Sequence, residues 1–443
     1  MLVTDLSGGA TVPPEAARLG PQRGRTAPGA LTASTRNRVC GMTVVPTLSD
    51  IEAAREALRG VSVYTPMEES RWLSEASGGP VLLKAENLQR TGSFKIRGAY
   101  LRMCRLSEHE RASGVVAASA GNHAQGVALA ARLLGIRATV FMPHGAPIPK
   151  ENATRGYGAD VRFVGHSVDE ALVEAKRFAA DTGAVLIHPF DHHDIVAGQG
   201  TCGLEIIEQC PEVRTILVPT GGGGLTAGIA TAAKALRPDV HVVGVQAEGA
   251  AAFLQSLEEG RPVPLPSMST MADGIAVGCP GEVPFEAIRK NVDEIITVNE
   301  ESLSRALLML LERAKLVVEP AGAAAVAAML DHPHRFRTPA VAVLSGGNVD
   351  PLLLMKVIRH GLAAAGRYLN FTARIPDLPG GLARLLGELA EVEANVLDVV
   401  HERTSATLHL DEVEVVLQVE TRGPDHAERV LGRLRECGYT VSE

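Results

Sequence analysis

Short apolar runs alternate with longer stretches of helical pattern from about residue 46 to residue 362. The runs are rich in Val, Ile, Leu and Ala, and this alternation predicts an α/β fold with parallel sheets covered by helices on both faces. In such folds, ligands bind at loops that follow the carboxyl ends of the strands. The predicted strands are 114–118, 138–142, 161–164, 184–187, 216–218, 242–245 and 341–344.

The pattern changes after about residue 366. A strand with a period of two bears Leu369, Phe371 and Ala373, and a helix with leucines on one face follows it. Two more strands, a second helix and a short last strand complete a β-α-β-β-α-β order, which is the ferredoxin-like plan. We therefore predict a separate α+β domain over 366–443.

Residues 1–45 are rich in Gly, Pro, Ser, Thr, Ala and Arg and show no helical or strand periodicity. Such a stretch buries too little apolar surface to offset the entropy of ordering, so we predict a disordered extension. Asp5, Glu15 and the lack of an amphipathic pattern argue against a transit peptide. An unstructured extension, or a true start at Met42, is favoured.

Composition narrows the kinds of partner. A formal net charge of -8 argues against nucleic acid, which selects for clustered Lys and Arg, so small-molecule ligands are expected. No apolar run reaches the roughly 18 residues that cross a bilayer, and we predict no membrane association. The six cysteines show neither a C-x-x-C pair nor zinc spacing, which suits a reducing cytoplasm.

The segment 93–99 places Lys95 just inside a predicted helix start, next to Phe94 and after the possible caps Thr91 and Ser93. Near the positive end of a helix dipole and beside an aromatic ring, a lysine is disfavoured as an ammonium ion and can become a nucleophile. The alternative is an exposed helix lysine, which is the commoner case.

The turn 119–126 connects the predicted strand 114–118 to the next helix. It offers backbone N–H groups, a hydroxyl, an amide and an imidazole to a carboxylate or a phenolic oxygen. A well-capped turn is the alternative, with Gly121 reversing the chain and Asn122 serving only as a cap.

Four consecutive glycines, 221–224, follow the predicted strand 216–218 and precede an apolar helix. Bare amides at a helix N-terminus can hold a phosphate. A dinucleotide site is the alternative, because the loop and Ala227 fit G-x-G-x-x-A and Glu248 could bind a ribose hydroxyl.

Two other segments carry polar groups. Ser345 follows the predicted strand 341–344 and could offer a hydroxyl to a buried heteroaromatic nitrogen, although a tight turn explains it equally. Histidines and aspartates crowd the loop 188–194 without metal-ligand spacing, so we predict no metal site.

Four of these motifs, in this order along the chain, resemble the threonine dehydratase (threonine ammonia-lyase) family of type II pyridoxal-phosphate enzymes, over essentially all of 46–365. They are the segment 93–99, the turn 119–126, the glycines 221–224 and the loop at Ser345. The stretches 188–190, 198–201, 272–274 and 318–322 are also similar to the family. The resemblance implies a two-lobed parallel-sheet catalytic domain over 46–362, with its smaller lobe at about 112–190. Residues 376–380 and 394–396 make the C-terminal domain resemble an ACT regulatory domain.

The resemblance implies that Lys95 is the catalytic residue and carries pyridoxal 5'-phosphate as a Schiff base. The other implied cofactor contacts are Phe94, Asn122 at the 3-hydroxyl, Gly221, Gly222, Gly223, Gly224 and Leu225 at the phosphate, and Ser345 at the pyridine nitrogen. The implied substrate contacts are Ser119, Ala120, Gly121, Asn122 and His123.

The implied reaction converts L-threonine, and also L-serine, to a 2-oxo acid and ammonia by β-elimination. Ala120 argues against racemisation, because the related serine racemases resemble this motif but carry a serine there as an acid and base. The stretch 246–252 lacks the first and last carboxylates of the divalent-cation site of some relatives. Two alternatives are a nicotinamide-dependent oxidoreductase and a non-catalytic amino-acid sensor.

The ACT-like domain implies an amino-acid effector, bound where two such domains pair. The implied contacts are Leu378, Pro379, Gly380 and Asn395. Plain oligomerisation is the alternative, and a homo-oligomer, dimer or tetramer, is expected in both cases.

Overall fold

The computed structural model describes residues 38–39, 42–402 and 411–442. Most of the predicted extension over 1–45 lies outside the described residues. At its end, β1 (Arg38–Val39) and β2 (Met42–Thr43) form an antiparallel pair. Val45 packs beside a buried cluster that includes Phe253 and Phe285, so the described part of the extension reaches the body of the protein.

Two parallel sheets with covering helices make up the larger part of the chain. Its strands are β3 (Met67–Glu69), β4 (Val81–Lys84), β5 (Val115–Ala118), β6 (Ala138–Met142), β7 (Asp160–Phe163), β8 (Val185–Leu186), β9 (Thr215–Pro219), β10 (His241–Ala247), β11 (Glu294–Val298) and β12 (Ala340–Val343). Its helices are α1 (Leu48–Ala57), α2 (Arg71–Ser77), α3 (Lys95–Cys104), α4 (Glu108–Ser113), α5 (Asn122–Leu134), α6 (Ile148–Gly156), α7 (Val168–Thr182), α8 (His193–Gln209), α9 (Gly224–Leu236), α10 (Ala252–Glu259), α11 (Glu282–Asn291), α12 (Glu300–Met309), α13 (Pro320–Asp331) and α14 (Pro351–Ala364).

The larger sheet has the order β11-β10-β9-β12-β4-β3, in which only the edge strand β3 runs antiparallel to its neighbour. The smaller sheet has the order β7-β6-β5-β8 and is parallel throughout. The predicted α/β class is therefore confirmed. All seven predicted strands are present, with ends that shift by one or two residues, whereas β3, β4 and β11 were not predicted from the sequence.

Three tightly packed helices support the larger sheet. Helix α13 is buried from Pro320 to Met329, which explains why it is apolar on all sides. Helices α8 and α9 approach closely at two glycines, because a Cβ on Gly228 would lie 2.5 Å from the backbone nitrogen of Gly200. These contacts hold the helix N-termini, and the loops before them, in fixed positions beside the sheet.

The C-terminal part forms an antiparallel sheet with two helices. Its elements are β13 (Tyr368–Pro376), α15 (Gly381–Glu391), β14 (Asn395–Glu402), β15 (Glu412–Glu420), α16 (Pro424–Glu436) and β16 (Thr440–Ser442). The strand order β14-β15-β13-β16 and a separate apolar cluster confirm the predicted ferredoxin-like plan.

None of the helices in the described part of the chain combines the length and the apolar character that a membrane span requires.

Candidate active site

A cavity of about 870 Å³ lies between the two parallel sheets, where loops follow β5, β9 and β12. Every residue that the sequence analysis assigned to cofactor or substrate binding lines this cavity. These residues are Phe94, Lys95, Ser119, Ala120, Gly121, Asn122, His123, Gly221, Gly222, Gly223, Gly224, Leu225 and Ser345. The structure therefore brings four motifs that are far apart in sequence into one site.

Lys95 is the first residue of α3, and its side chain faces the cavity. The Nζ atom donates a hydrogen bond to the Pro189 carbonyl at 3.1 Å and lies 5.1 Å from the centre of the Phe94 ring. Burial lowers the pKa of Lys95 to about 8, against the opposing attraction of Glu319. The amine is therefore much closer to its nucleophilic form at neutral pH than an ordinary lysine.

The glycine loop between β9 and α9 has no room for side chains. A Cβ on Gly222 would lie 2.4 Å from the Phe190 ring, and Gly223 has a φ of +92°, which favours glycine. The loop presents backbone amides at the N-terminus of α9, where the helix dipole attracts an anion. This arrangement suits a phosphate.

Asn122 begins α5 and takes part in a chain of hydrogen bonds at the cavity wall. Its Nδ2 donates to a carboxylate oxygen of Glu319, and its Oδ1 accepts from Nδ2 of Asn348 at 2.8 Å. Asn348 also donates to the Thr91 carbonyl at 2.6 Å. The amide of Asn122 is thus held in one orientation.

His123 faces the same cavity but is held neutral. Burial and the nearby Lys95 lower its pKa to about 3. Its Nε2 lies 2.8 Å from the Ile187 carbonyl, which can only accept, so Nε2 carries the proton. His123 therefore fixes local structure and offers only an unprotonated Nδ1 to other groups.

An ion pair joins the two lobes across the cavity. Nζ of Lys150, on α6, lies 2.7 Å from a carboxylate oxygen of Asp273, which follows β10 in the larger lobe. Lys150 is buried, while the side chain of Asp273 is 52% exposed. A Cβ on Gly121 would lie 3.5 Å from Nζ of Lys150, so this cation stands beside the turn predicted to bind a carboxylate.

A second charged network is buried behind Lys95. Arg97 lies two residues further along α3. It donates two hydrogen bonds to the Glu86 carboxylate, each of 2.8 Å, and a third to Glu205 at 2.6 Å. Lys84, at the end of β4, donates to the other carboxylate oxygen of Glu205 at 2.6 Å. The network joins β4, α3 and α8 and so fixes the helix that carries Lys95.

Some of these polar residues were not predicted as site residues. Glu319 and Asp273 appeared only within stretches similar to the family, and nothing in the sequence pattern indicated Lys150. For Glu319, the available signal was the proline that follows it. Proline is favoured in the first turn of a helix, so Pro320 marks the start of α13 and places Glu319 in the loop just before it.

The four predicted regulatory residues lie in the C-terminal domain, and the structure does not bring them together. Residues 378–380 follow β13, whose last residue pairs with Glu412, whereas Asn395 pairs with Glu420. Glu412 and Glu420 are the two ends of β15, and a rise of ~3.4 Å per residue places them about 27 Å apart. Contact of one ligand with both would need a second chain.

Among the described residues, no group of three or more His, Cys, Asp or Glu side chains is placed to hold a metal ion. Gln246, at the start of the stretch considered for a cation, instead accepts from the Phe253 amide at 3.0 Å and donates to the carbonyls of Thr220 and Ala250, each at 3.3 Å.

A family model described as "Pyridoxal-phosphate dependent enzyme" matches residues 59–346. The chain is 47% identical to an L-threonine ammonia-lyase of Thermotoga maritima over 395 residues, which are 89% of this chain and 98% of that protein. It is 46% identical to an L-threonine ammonia-lyase of Geobacter sulfurreducens, covering 88% of this chain and 98% of that protein.

Solved structures show the same likeness. A threonine deaminase from T.th. has a TM-score of 0.66 and 44% identity, covering 69% of this chain and 99% of that one. Maize serine racemase has a TM-score of 0.68 and 35% identity, covering 72% of this chain and 99% of that one.

Proposed function

The chain belongs to the family of pyridoxal-phosphate dependent enzymes, and from that premise we propose that it is a threonine ammonia-lyase. It converts L-threonine to 2-oxobutanoate and ammonia, and it acts also on L-serine. Lys95, a partly buried amine with a lowered pKa in a cavity beside an anion-binding loop, is the observation that carries the proposal. Relatives named as L-threonine ammonia-lyases, aligned over most of the chain, support the choice of substrate.

The residues of the cavity fit pyridoxal phosphate. Lys95 offers an amine for the aldehyde, and the amides of 221–224 suit the phosphate. Asn122 and Ser345 line the same cavity, where Asn122 would offer an N–H to the ring hydroxyl and Ser345 a hydroxyl to the ring nitrogen. A dinucleotide would need Glu248 at the ligand, but Glu248 lies outside the residues that line the cavity.

The bound cofactor supplies an electron-accepting ring next to the α-carbon of the substrate. Backbone amides of the turn after β5, together with the Ser119 hydroxyl, hold the substrate carboxylate and so orient the α-hydrogen. With the cofactor bound, the Lys95 amine would be the base that takes the α-proton of the substrate. Because its pKa is about 8, this amine is partly unprotonated at neutral pH.

Ser345 favours elimination over transamination. Its neutral hydroxyl, unlike a carboxylate, does not keep the ring nitrogen protonated, so negative charge at the α-carbon is less stabilised and transamination is disfavoured. Loss of the β-hydroxyl would therefore be favoured over transamination. The overall elimination releases water and an enamine, which tautomerises and hydrolyses to the 2-oxo acid and ammonia.

We also propose that the C-terminal domain binds an amino-acid effector between two chains of a cytoplasmic homo-oligomer. Leu378 is 63% exposed, and Gly380, with a φ of +82°, precedes the N-terminus of α15, which suits a carboxylate. Five cysteines in the described part of the chain are free thiols, as expected in a reducing compartment.

A coupled assay for oxo-acid release tests the function. The purified holoprotein is expected to form 2-oxobutanoate from L-threonine and pyruvate from L-serine, with ammonia in equal amount. No oxo acid from either substrate would contradict the proposal. Repeating the assay with isoleucine or valine tests regulation, and a change that disappears when residues 366–443 are removed from an otherwise active protein supports the effector site.

A further inference from the structure

Glu319 is a buried carboxylate on the cavity wall for which the reaction described above has no role. It is 2% exposed and precedes α13. One carboxylate oxygen accepts from Nδ2 of Asn122, while the other, Oε2, is buried without a hydrogen-bond partner among the described residues. A buried carboxylate that is only half satisfied is costly, which indicates a role other than stability.

The hydrogen bonds around Asn122 determine which way its amide points. The Thr91 carbonyl only accepts, so the group of Asn348 that faces it is the NH2. That NH2 donates also to Asn122, which places Oδ1 of Asn122 towards Asn348 and its NH2 towards Glu319. One N–H of Asn122 is used by Glu319, and the second remains for a ligand in the cavity.

Charged groups from three elements face Glu319. The positive charges of Lys150 on α6 and Lys95 on α3 stabilise its carboxylate form and so lower its pKa, as does the hydrogen bond from Asn122. The negative charge of Asp273 raises the pKa. Burial outweighs these attractions and raises the pKa of Glu319 to about 7. The same charge interaction acts in reverse, since Glu319 favours the protonated form of Lys95.

We propose that Glu319 is a positioning residue of the site, whose carboxylate holds the Asn122 amide with an N–H towards the cofactor ring oxygen and balances the positive charge at Nζ of Lys95. The assignment rests on the proposed function, because the ring oxygen belongs to pyridoxal phosphate. It predicts two separable effects, one from the charge of Glu319 and one from its hydrogen bond to Asn122.

Glu319→Gln removes the charge and keeps an oxygen that can accept from Asn122, whereas Glu319→Leu removes both. The readout is the rate at which apoprotein incorporates added pyridoxal phosphate, followed by absorbance across a pH series. In Glu319→Gln the pH midpoint of this rate is expected to fall by about one unit, because an opposite charge nearby raises an amine pKa by roughly one to three units.

In Glu319→Leu the midpoint is expected to fall likewise, and the equilibrium Kd for pyridoxal phosphate is expected to rise about tenfold, since Asn122 loses its fixed orientation. Glu312→Gln is the matched control, because Glu312 pairs with Arg367 at 2.7 Å, outside the cavity, and its midpoint should equal that of the unmodified protein. Thermal unfolding of each apoprotein identifies a misfolded variant. Glu319→Asp retains the charge, so its pH midpoint should equal that of the unmodified protein. If Glu319→Gln proves unstable, the midpoint of Glu319→Leu is compared with that of Glu319→Asp.

Oxo-acid release from L-threonine by the unmodified protein is measured on the same preparation. Normal release with an unshifted midpoint in Glu319→Gln would overturn the role of Glu319 and leave the proposed function intact. A shifted midpoint without any oxo-acid release would support Glu319 as counter-charge and contradict the lyase. A failure of the unmodified apoprotein to take up the cofactor would contradict both.

Discussion

Ser93 and Gly346 pair through their main chains in an isolated antiparallel bridge. Beside this bridge the Phe94 amide donates to the Ser345 carbonyl at 3.3 Å, and the Gly347 amide donates to the Gly92 carbonyl at 2.9 Å. The start of α3 is thereby attached to the loop after β12. Lys95 and Ser345, which are predicted to contact opposite parts of one cofactor, are held at a fixed spacing by backbone alone.

Replacing Lys95 by alanine tests the centre of the site. The variant lacks the amine, so we expect no visible absorbance band from lysine-bound cofactor and a loss of oxo-acid formation of about a thousandfold or more. Both are measured on protein purified with added pyridoxal phosphate. Lys290→Ala removes an exposed lysine of α11 and should change neither quantity. A coloured, active Lys95→Ala protein would show that another lysine carries the cofactor.

The lowered pKa of Lys95 predicts how cofactor uptake depends on pH. Only the unprotonated amine attacks an aldehyde, and the unprotonated fraction rises with pH until the pKa, about 8, is passed. The incorporation rate of the apoprotein should therefore rise from pH 6 to about 8 and level off above it. Stopped-flow absorbance measures the rate. A rise of about tenfold per pH unit that continues to pH 10 would indicate an ordinary lysine instead.

The sequence was most informative where function lies in contiguous segments. Lys95, the turn at 119–123 and the loop at 221–224 were candidates because each combines a special residue type with a strand end or helix start, and the resemblance to a known family implied their roles. The glycine loop and Ser345 meet because they follow β9 and β12, which are neighbouring parallel strands of the larger sheet and share one edge. The turn at 119–123 follows β5 of the smaller sheet, so its approach to them depends on how the two sheets pack.

Partners that lie far apart along the chain could not be predicted in this way. Lys150 and Asp273 pair across the two lobes, and Glu319 reaches Asn122 from a different element. No periodicity connects such residues, because each contact depends on how the lobes pack.

The glycine loop should reject any side chain at position 222. In Gly222→Ala the new methyl group would lie 2.4 Å from the Phe190 ring, which packs edge-on against His188 with ring centres 4.7 Å apart. We expect a loss of about 1–3 kcal/mol in the free energy of unfolding of the apoprotein. The Kd for pyridoxal phosphate should also increase.

Gly432→Ala is the matched control for that variant. Gly432 lies within α16, and a Cβ there meets no atom within 4 Å. Alanine is favoured over glycine inside a helix by about 0.8–1.0 kcal/mol, so this variant should be as stable as the unmodified protein or more so. Chemical denaturation of the three apoproteins provides the comparison. Equal stability of Gly222→Ala and the unmodified protein would show that the loop can move away from Phe190.

Ala120 lines the cavity together with Lys95, and its methyl group cannot transfer a proton. Racemisation needs a second acid and base on the face opposite the lysine, so the unmodified protein should convert L-serine only to pyruvate. Ala120→Ser supplies a hydroxyl at this place. We expect it to form measurable D-serine, detected by chiral chromatography, beside continued pyruvate release. If D-serine stays undetectable in an otherwise active variant, Ala120 alone does not account for the lack of racemisation.

Arg97 is the cation on which the buried network behind Lys95 depends. Arg97→Met would leave Glu86 with only the hydrogen bond from the Thr65 hydroxyl, and one oxygen of Glu205 without its donor. Breaking a buried ion pair by removing one member costs about 3–5 kcal/mol in the free energy of unfolding. Arg177→Met removes the cation of an exposed pair with Glu174 and should leave this free energy unchanged within error.

The dependence on pH separates this electrostatic cost from lost packing. In the unmodified protein Arg97 lowers the pKa of Glu86, so this group adds stability at neutral pH that is lost as the pH falls through its pKa. In Arg97→Met the unpaired Glu86 carboxylate should have a raised pKa, and protonation should stabilise the folded state. The difference in unfolding free energy between the two proteins should therefore shrink from pH 7 to pH 5. A difference that stays constant over this range would identify lost packing of the Arg97 side chain as the cause.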